Sequence, residues 1–344
     1  MPAIGRRALL AGATASALPA IGHAQRRAVI DGAGREVPVP DRVTRVFPAG
    51  PPAAILLYTL APELLLGWPR ANRPEERAFL LPDVGARPEV GRITGRGNTA
   101  NLEVVLGLKP DLILDVGSTR QTFVSLADRV QSQTSIPYAL LDGRLDTSDG
   151  AYRTLGQLVG EAARAEVLAS YAFDVLRTVS DRVATVPADK RPRVYYARGP
   201  RGLETGLAGS INVEAIEMVG ARNVAGEARG GLAAVSLEQV LAWDPEVIVT
   251  IDQDFARTVR RDPDWSGVAA VRTGRVHLSP KLPFGWVDFP PSVNRLIGLR
   301  WLGKILYPDL FPEDLKPIAR EFYARFYHVT PSDEQLERVL AGRD

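Results

Sequence analysis

Read for its apolar and polar positions, the chain shows two stretches of similar grammar with a longer helical run between them. Val29, Ile30, Val37 and Val39 flank the turn Asp31-Gly32-Ala33-Gly34, a pattern that predicts a short hairpin over residues 28–39. Arg45-Val46-Phe47 reads as a short buried strand. The following Pro48-Ala49-Gly50-Pro51-Pro52 opens a helix over residues 53–60, since proline is tolerated in a first helical turn. Leu64-Leu65-Leu66-Gly67-Trp68 reads as the next strand. A further unit predicts a helix over residues 102–108, a turn at Lys109-Pro110 and a strand over 111–116. Strands alternating with helices imply a parallel sheet covered on both faces.

The middle differs. From residue 150 to 186 no proline interrupts, and Leu155, Leu158, Val159, Ala162, Leu168, Val175 and Val179 recur near helical spacing. Pro187 and Pro192 end this run, which predicts one long helix spacing two α/β lobes. The second lobe then repeats the grammar: a strand over 193–197, a Gly-rich loop over 199–209, a helix over 213–219, a helix over 237–242 capped by Ser236, and strands over 246–251 and 275–278. Helices over 292–306, 314–327 and 332–340 close the chain. The predicted organisation is a leader over 1–24, a first lobe over 28–149, a connecting helix over 150–187 and a second lobe over 192–344. One echo links the halves. Asn101-Leu102-Glu103-Val104-Val105-Leu106-Gly107-Leu108-Lys109-Pro110-Asp111 matches Ser236-Leu237-Glu238-Gln239-Val240-Leu241-Ala242-Trp243-Asp244-Pro245-Glu246, each followed by a buried strand. Helix-turn-strand grammar is common to βα proteins, but the repeated cap-Leu-Glu triplet points to pseudo-symmetry.

Composition narrows the function. Hydrophobic residues make up 45% and charged residues 24%, enough apolar content for a large core. The formal charge is only +2, and Arg6 and Arg7 of the leader account for it, so a nucleic-acid-binding face is not indicated. With no Cys and three His, no zinc-type ligand set can be assembled, and bare zinc or manganese is disfavoured as a ligand. The Gly-rich loops match neither a Walker nor a dinucleotide fingerprint, and no Gly-x-Ser-x-Gly elbow occurs. Residues 1–24 read as an export signal: Arg6-Arg7, an apolar run, and Gly22-His23-Ala24 with small residues at the cleavage positions. The arginine pair before Ala8-Leu9-Leu10 suits the twin-arginine route to the periplasm.

Taken together, the chain resembles the periplasmic solute-binding proteins of the iron-siderophore, haem and cobalamin ABC transporter family. The resemblance rests on the two echoed segments, on Gly220-Ala221-Arg222-Asn223, on Asp264-Trp265-Ser266-Gly267-Val268 and on Trp301-Leu302-Gly303-Lys304-Ile305-Leu306-Tyr307-Pro308. It implies two Rossmann-like α/β lobes joined by one long helix, a ligand cleft between the lobes, and no catalysis or cofactor. It also implies that Glu103 and Glu238 pair with arginines of the permease dimer, although the helix dipole alone favours a first-turn Glu. The expected protein is a monomer that docks at the inner membrane without spanning it. The expected cargo is a metal chelate, a ferric siderophore first and haem or cobalamin next. An oxyanion such as molybdate or tungstate is the alternative, ahead of a periplasmic chelate-processing enzyme or sensor. Ligand-site candidates are Arg70, Arg96, Arg120, Tyr196, Arg198, Phe284 and Trp286: arginines near strand ends suit an anionic ligand, and the two aromatics could stack on a chelate.

Overall fold

The computed structural model describes residues 26–95, 97 and 100–342, so the expected export signal and Arg96 lie outside the described residues. In the first lobe the strands Val46–Pro48, Leu112–Gly117 and Tyr138–Asp142 form a parallel sheet in that order. In the second lobe Arg193–Ala197 and Val247–Thr250 sit at the centre of a parallel sheet edged by Val276–Leu278 and Arg222–Asn223.

Strand alternation assigns each residue to a face. Phe47, Ile113 and Tyr138 lie side by side in register and pack in a core belonging to the first lobe. Tyr195, Ile248 and Val276 do the same in the second. The opposite faces, carrying Val46, Leu112 and Leu114 in one lobe and Val194, Tyr196 and Val249 in the other, contribute to a single core that runs through both lobes. Sheets buried on both faces read as continuous apolar runs, which is why these strands were visible in the sequence.

The connector departs from expectation in one respect. The run over 150–187 holds two helices, Ser148–Val159 and Ala162–Ala184, with Gly160 between them at φ +83. That left-handed conformation ends the first helix, and glycine takes it without penalty. A Cβ at Gly156 would meet that of Ala165 at 2.4 Å, so the two helices pack closely just beyond the break. The linking element is the 23-residue second helix. Near its start Arg164 bonds Leu60 O (2.9 Å) in the first lobe, and near its end Val183 packs on Gly220 in the second. The strand expected at 64–68 is a 3-10 turn, Pro62–Leu64, followed by two isolated bridges, Leu65 to Val46 and Trp68 to Glu89. Among the described residues no helix is long and apolar enough to cross a membrane.

The echoed segments fold alike. Helix Leu102–Leu108 is capped by the Asn101 side chain accepting from Val104 N, and helix Leu237–Trp243 by Ser236 accepting from Gln239 N. Both end in a left-handed non-glycine residue, Lys109 (φ 48) and Asp244 (φ 39), before a proline. The exposed carbonyls of each end are held by one arginine: Arg45 reaches Leu108 O and Lys109 O, and Arg193 reaches Trp243 O and Asp244 O. Each arginine's amide in turn donates to the acid after the proline, Asp111 or Glu246.

Candidate functional site: a cleft between the lobes

The carboxyl ends of the first sheet's strands open onto a cavity of about 830 Å³ shared by the two lobes. Open α/β sheets bind ligands at this end because the chain leaves the strands there and the loops converge. The first lobe supplies Gly50–Pro52, Thr94 and Gly95, the segment from Asp115 to Arg120, and Asp142 with Arg144. The second supplies the segments from Ala208 to Asn212 and from Arg229 to Gly231. The antiparallel pairing of Glu204–Gly206 with Leu232–Ala234 holds these two segments together.

Charge in the wall is unbalanced. Arg144 is paired with Asp146. Among the described residues the Arg120 side chain bonds only Ser118 Oγ (3.1 Å), and neither it nor Arg229 has a carboxylate partner. Of the two wall carboxylates, Asp142 accepts from Arg144 N. Asp115 is buried, and burial pushes its carboxyl above the usual carboxylate range, while the Thr94 and Tyr138 hydroxyls donating to it (2.9 Å each) work against that shift. Arg120 also begins helix Gln121–Thr134, whose first turn has no side-chain cap, so its positive dipole end adds to the field at this wall.

Two buried networks fix the walls. Arg295 bonds Glu214 Oε2 (2.6 Å) and Ile211 O of the second lobe and Gly143 O (2.6 Å) of the first. The same Glu214 oxygen accepts from Leu145 N, so this ion pair staples the lobes beside the cleft. Burial pulls the Arg295 guanidinium below its usual range, and Glu214 opposes that shift. In the second network Asp288 accepts from Tyr196 OH (2.7 Å), Arg198 Nη1 (2.6 Å) and Asn212 Nδ2 (2.8 Å), which orients the cleft residue Asn212.

These networks explain why several expected ligand residues stand elsewhere. Of the candidates, Arg120 lies in the cavity wall. Tyr196 and Arg198 are buried behind the wall because their polar ends are committed to Asp288. Trp286 is fully buried and Phe284 is packed against Trp68 and Tyr327, so both aromatics serve the core. Arg70 is half-exposed but binds Glu76 through both terminal nitrogens, outside the cavity. Reasoning from sequence missed Asp142, Arg144, Asn212 and Arg229. Their one local signal was proximity to a strand end or a glycine pair, which many surface residues share.

The comparisons with known proteins agree with this architecture. Residues 83–282, more than half of the chain, match the family model described as periplasmic binding protein. Over 265 residues the chain is 28% identical to the molybdate-binding protein MolA of Haemophilus influenzae, covering 70% of this chain and 74% of that one. A cobalamin-binding protein of Halobacterium salinarum is 32% identical over 162 residues, 45% of this chain and 42% of its own. Among solved structures, an ABC transporter solute binding protein from Sulfurospirillum deleyianum superposes with a TM-score of 0.83 at 29% identity, covering 91% of this chain and 98% of its own. Two parallel-sheet lobes, a helix running between them, a cleft at the strand ends and the matched family model lead to one assignment: the chain belongs to the periplasmic binding protein family.

Proposed function

We propose that this protein is the exported binding component of an ABC importer and that its cargo is an anionic metal compound held between the lobes. The observation that carries this reading is the pair Arg120 and Arg229, one from each lobe, lining the same cavity without a carboxylate partner among the described residues. An unpaired guanidinium on each side suits an anion that bridges the lobes, through charge-assisted hydrogen bonds. The cavity of about 830 Å³ falls in the range of roughly 300–1,000 Å³ common for drug-sized ligands, which favours a chelate such as a ferric siderophore. Phe123 is the one aromatic ring in the described wall, which gives a haem or corrin macrocycle little to stack on. A molybdate or tungstate cargo is the second reading, favoured by the match to MolA.

Delivery would use Glu103 and Glu238 as the docking pair. Both are exposed at the starts of equivalent helices, and neither has a basic partner among the described residues. Two carboxylates on rigid mounts give register and steering to a contact that must also reverse.

The test is native mass spectrometry with metal analysis on protein purified from its own periplasm, followed by calorimetric titration with ferric siderophores, haem, cobalamin, molybdate and tungstate. An anionic metal compound recovered unaltered and rebound by the apo-protein is the expected result. A neutral or cationic ligand, or a ligand released chemically changed, would overturn the reading.

A further inference from the structure

The two docking helices share more than a glutamate. In the first, Glu103, Leu106 and Gly107 occupy positions i, i+3 and i+4 and are all exposed. In the second, Glu238, Leu241 and Ala242 occupy the same positions and are exposed in the same way. Residues at this spacing share one helix face. Leu106 is 45% and Leu241 37% exposed, and both are among the few large apolar side chains the described surface leaves in water. Each lobe therefore presents an acid, an apolar knob and a small residue, in that order, on a helix held by the same cap and the same arginine clamp.

The small residue has no internal explanation. A Cβ built at Gly107 would meet no atom within 4 Å, so the fold leaves room for a larger side chain there. Inside a helix a glycine costs about 1 kcal/mol relative to alanine, and Gly107, in the last turn, carries part of that cost. A surface that must let another backbone approach closely has a use for a residue without a side chain.

We infer that Leu106 with Gly107, and Leu241 with Ala242, are two equivalent apolar contact points for the membrane permease, which would present two sockets, each an apolar depression beside a basic residue. The inference rests on the docking role of Glu103 and Glu238. Charge complementarity selects the partner: each apolar knob stands one turn from a carboxylate with no basic partner among the described residues, so the opposing surface must be apolar and cationic at once. The repeat selects its symmetry, since one chain offering the same face twice fits a partner that repeats its own surface.

The experiment measures binding of the intact mature protein to its cognate ABC transporter in nanodiscs, with circular-dichroism melting of each variant alongside. L106Q/L241Q is expected to weaken binding at least tenfold, and each single change by less. Gly107→Gln, which enters open space, is expected to keep the native melting curve and still weaken binding. V167Q/F173Q, on the 53% and 52% exposed residues of the linking helix, controls for general loss of surface apolarity and should leave binding unchanged. Native-like binding by both L106Q/L241Q and Gly107→Gln overturns the inference. If E103A/E238A still abolishes binding in that case, the glutamate reading survives alone. If E103A/E238A binds normally while the leucine and glycine variants do not, the glutamate reading falls and the apolar contact stands.

Discussion

The staple between the lobes makes a demanding prediction. Replacing Arg295 with Met removes an ion pair to Glu214 at 2.6 Å and a hydrogen bond to Gly143 O at 2.6 Å, together with longer bonds to Ser292 O and Ile211 O. The Arg295 side chain is 3% exposed and that of Glu214 18%. Breaking a buried pair from one side costs roughly 3–5 kcal/mol, chiefly because the remaining charge is left uncompensated. Leu145 N still donates to Glu214, and water reaches part of that carboxylate, so the expected cost lies at the low end, about 3 kcal/mol. E214Q should cost a similar amount, since it leaves a buried guanidinium facing only carbonyls. R295M/E214Q should cost well below the sum of the two, because no unpaired charge remains, and coupling between contacting groups commonly reaches about 0.5–3 kcal/mol. Urea unfolding of the four proteins, followed by tryptophan fluorescence, measures the cycle. A cost for R295M below about 1 kcal/mol, or strict additivity of the two changes, would refute the account of the pair as a staple.

Three further expectations follow from the cleft and from the expected leader. R120Q and R229Q should each lower affinity for an anionic ligand at least tenfold by calorimetry while shifting stability by no more than about 0.5 kcal/mol, as is usual for exposed sites. Asp115 has a raised native pKa from burial, so the folded state holds its proton to higher pH than the unfolded state; its effect is to lower stability as pH climbs from the unfolded value of about 3.9 towards the raised one, and D115N should flatten that part of the stability–pH curve. Replacing Arg6 and Arg7 together with Lys should leave unprocessed precursor in the cytoplasm, and normal export of that variant would assign the leader to another route.

Much of this protein was settled along the chain itself. The apolar strands, the Asn101 and Ser236 caps, and the breaks at Lys109-Pro110 and Asp244-Pro245 are local features, governed by backbone sterics and side chain-to-backbone bonds within a few residues. The two echoed segments, 101–111 and 236–246, were legible for the same reason, because each is a self-contained helix, turn and strand. The break at Gly160 lay within the sequence's reach too, but glycine is tolerated inside a helix often enough that its left-handed role emerged only with the packing of Gly156 on Ala165.

The cleft was decided elsewhere. An arginine near a strand end looks the same in sequence whether it is free, as Arg120 is of carboxylates among the described residues, or bound to an acid 90 positions away, as Arg198 is to Asp288. Trp286 and Phe284 were plausible stacking partners until the core closed over them. Arg229 joined the site because the pairing of Leu232–Ala234 with Glu204–Gly206 carried its loop to the cavity wall. Charge balance and burial are sums over residues distant in the chain, so only the folded arrangement fixes which side chains keep an unspent charge for a ligand.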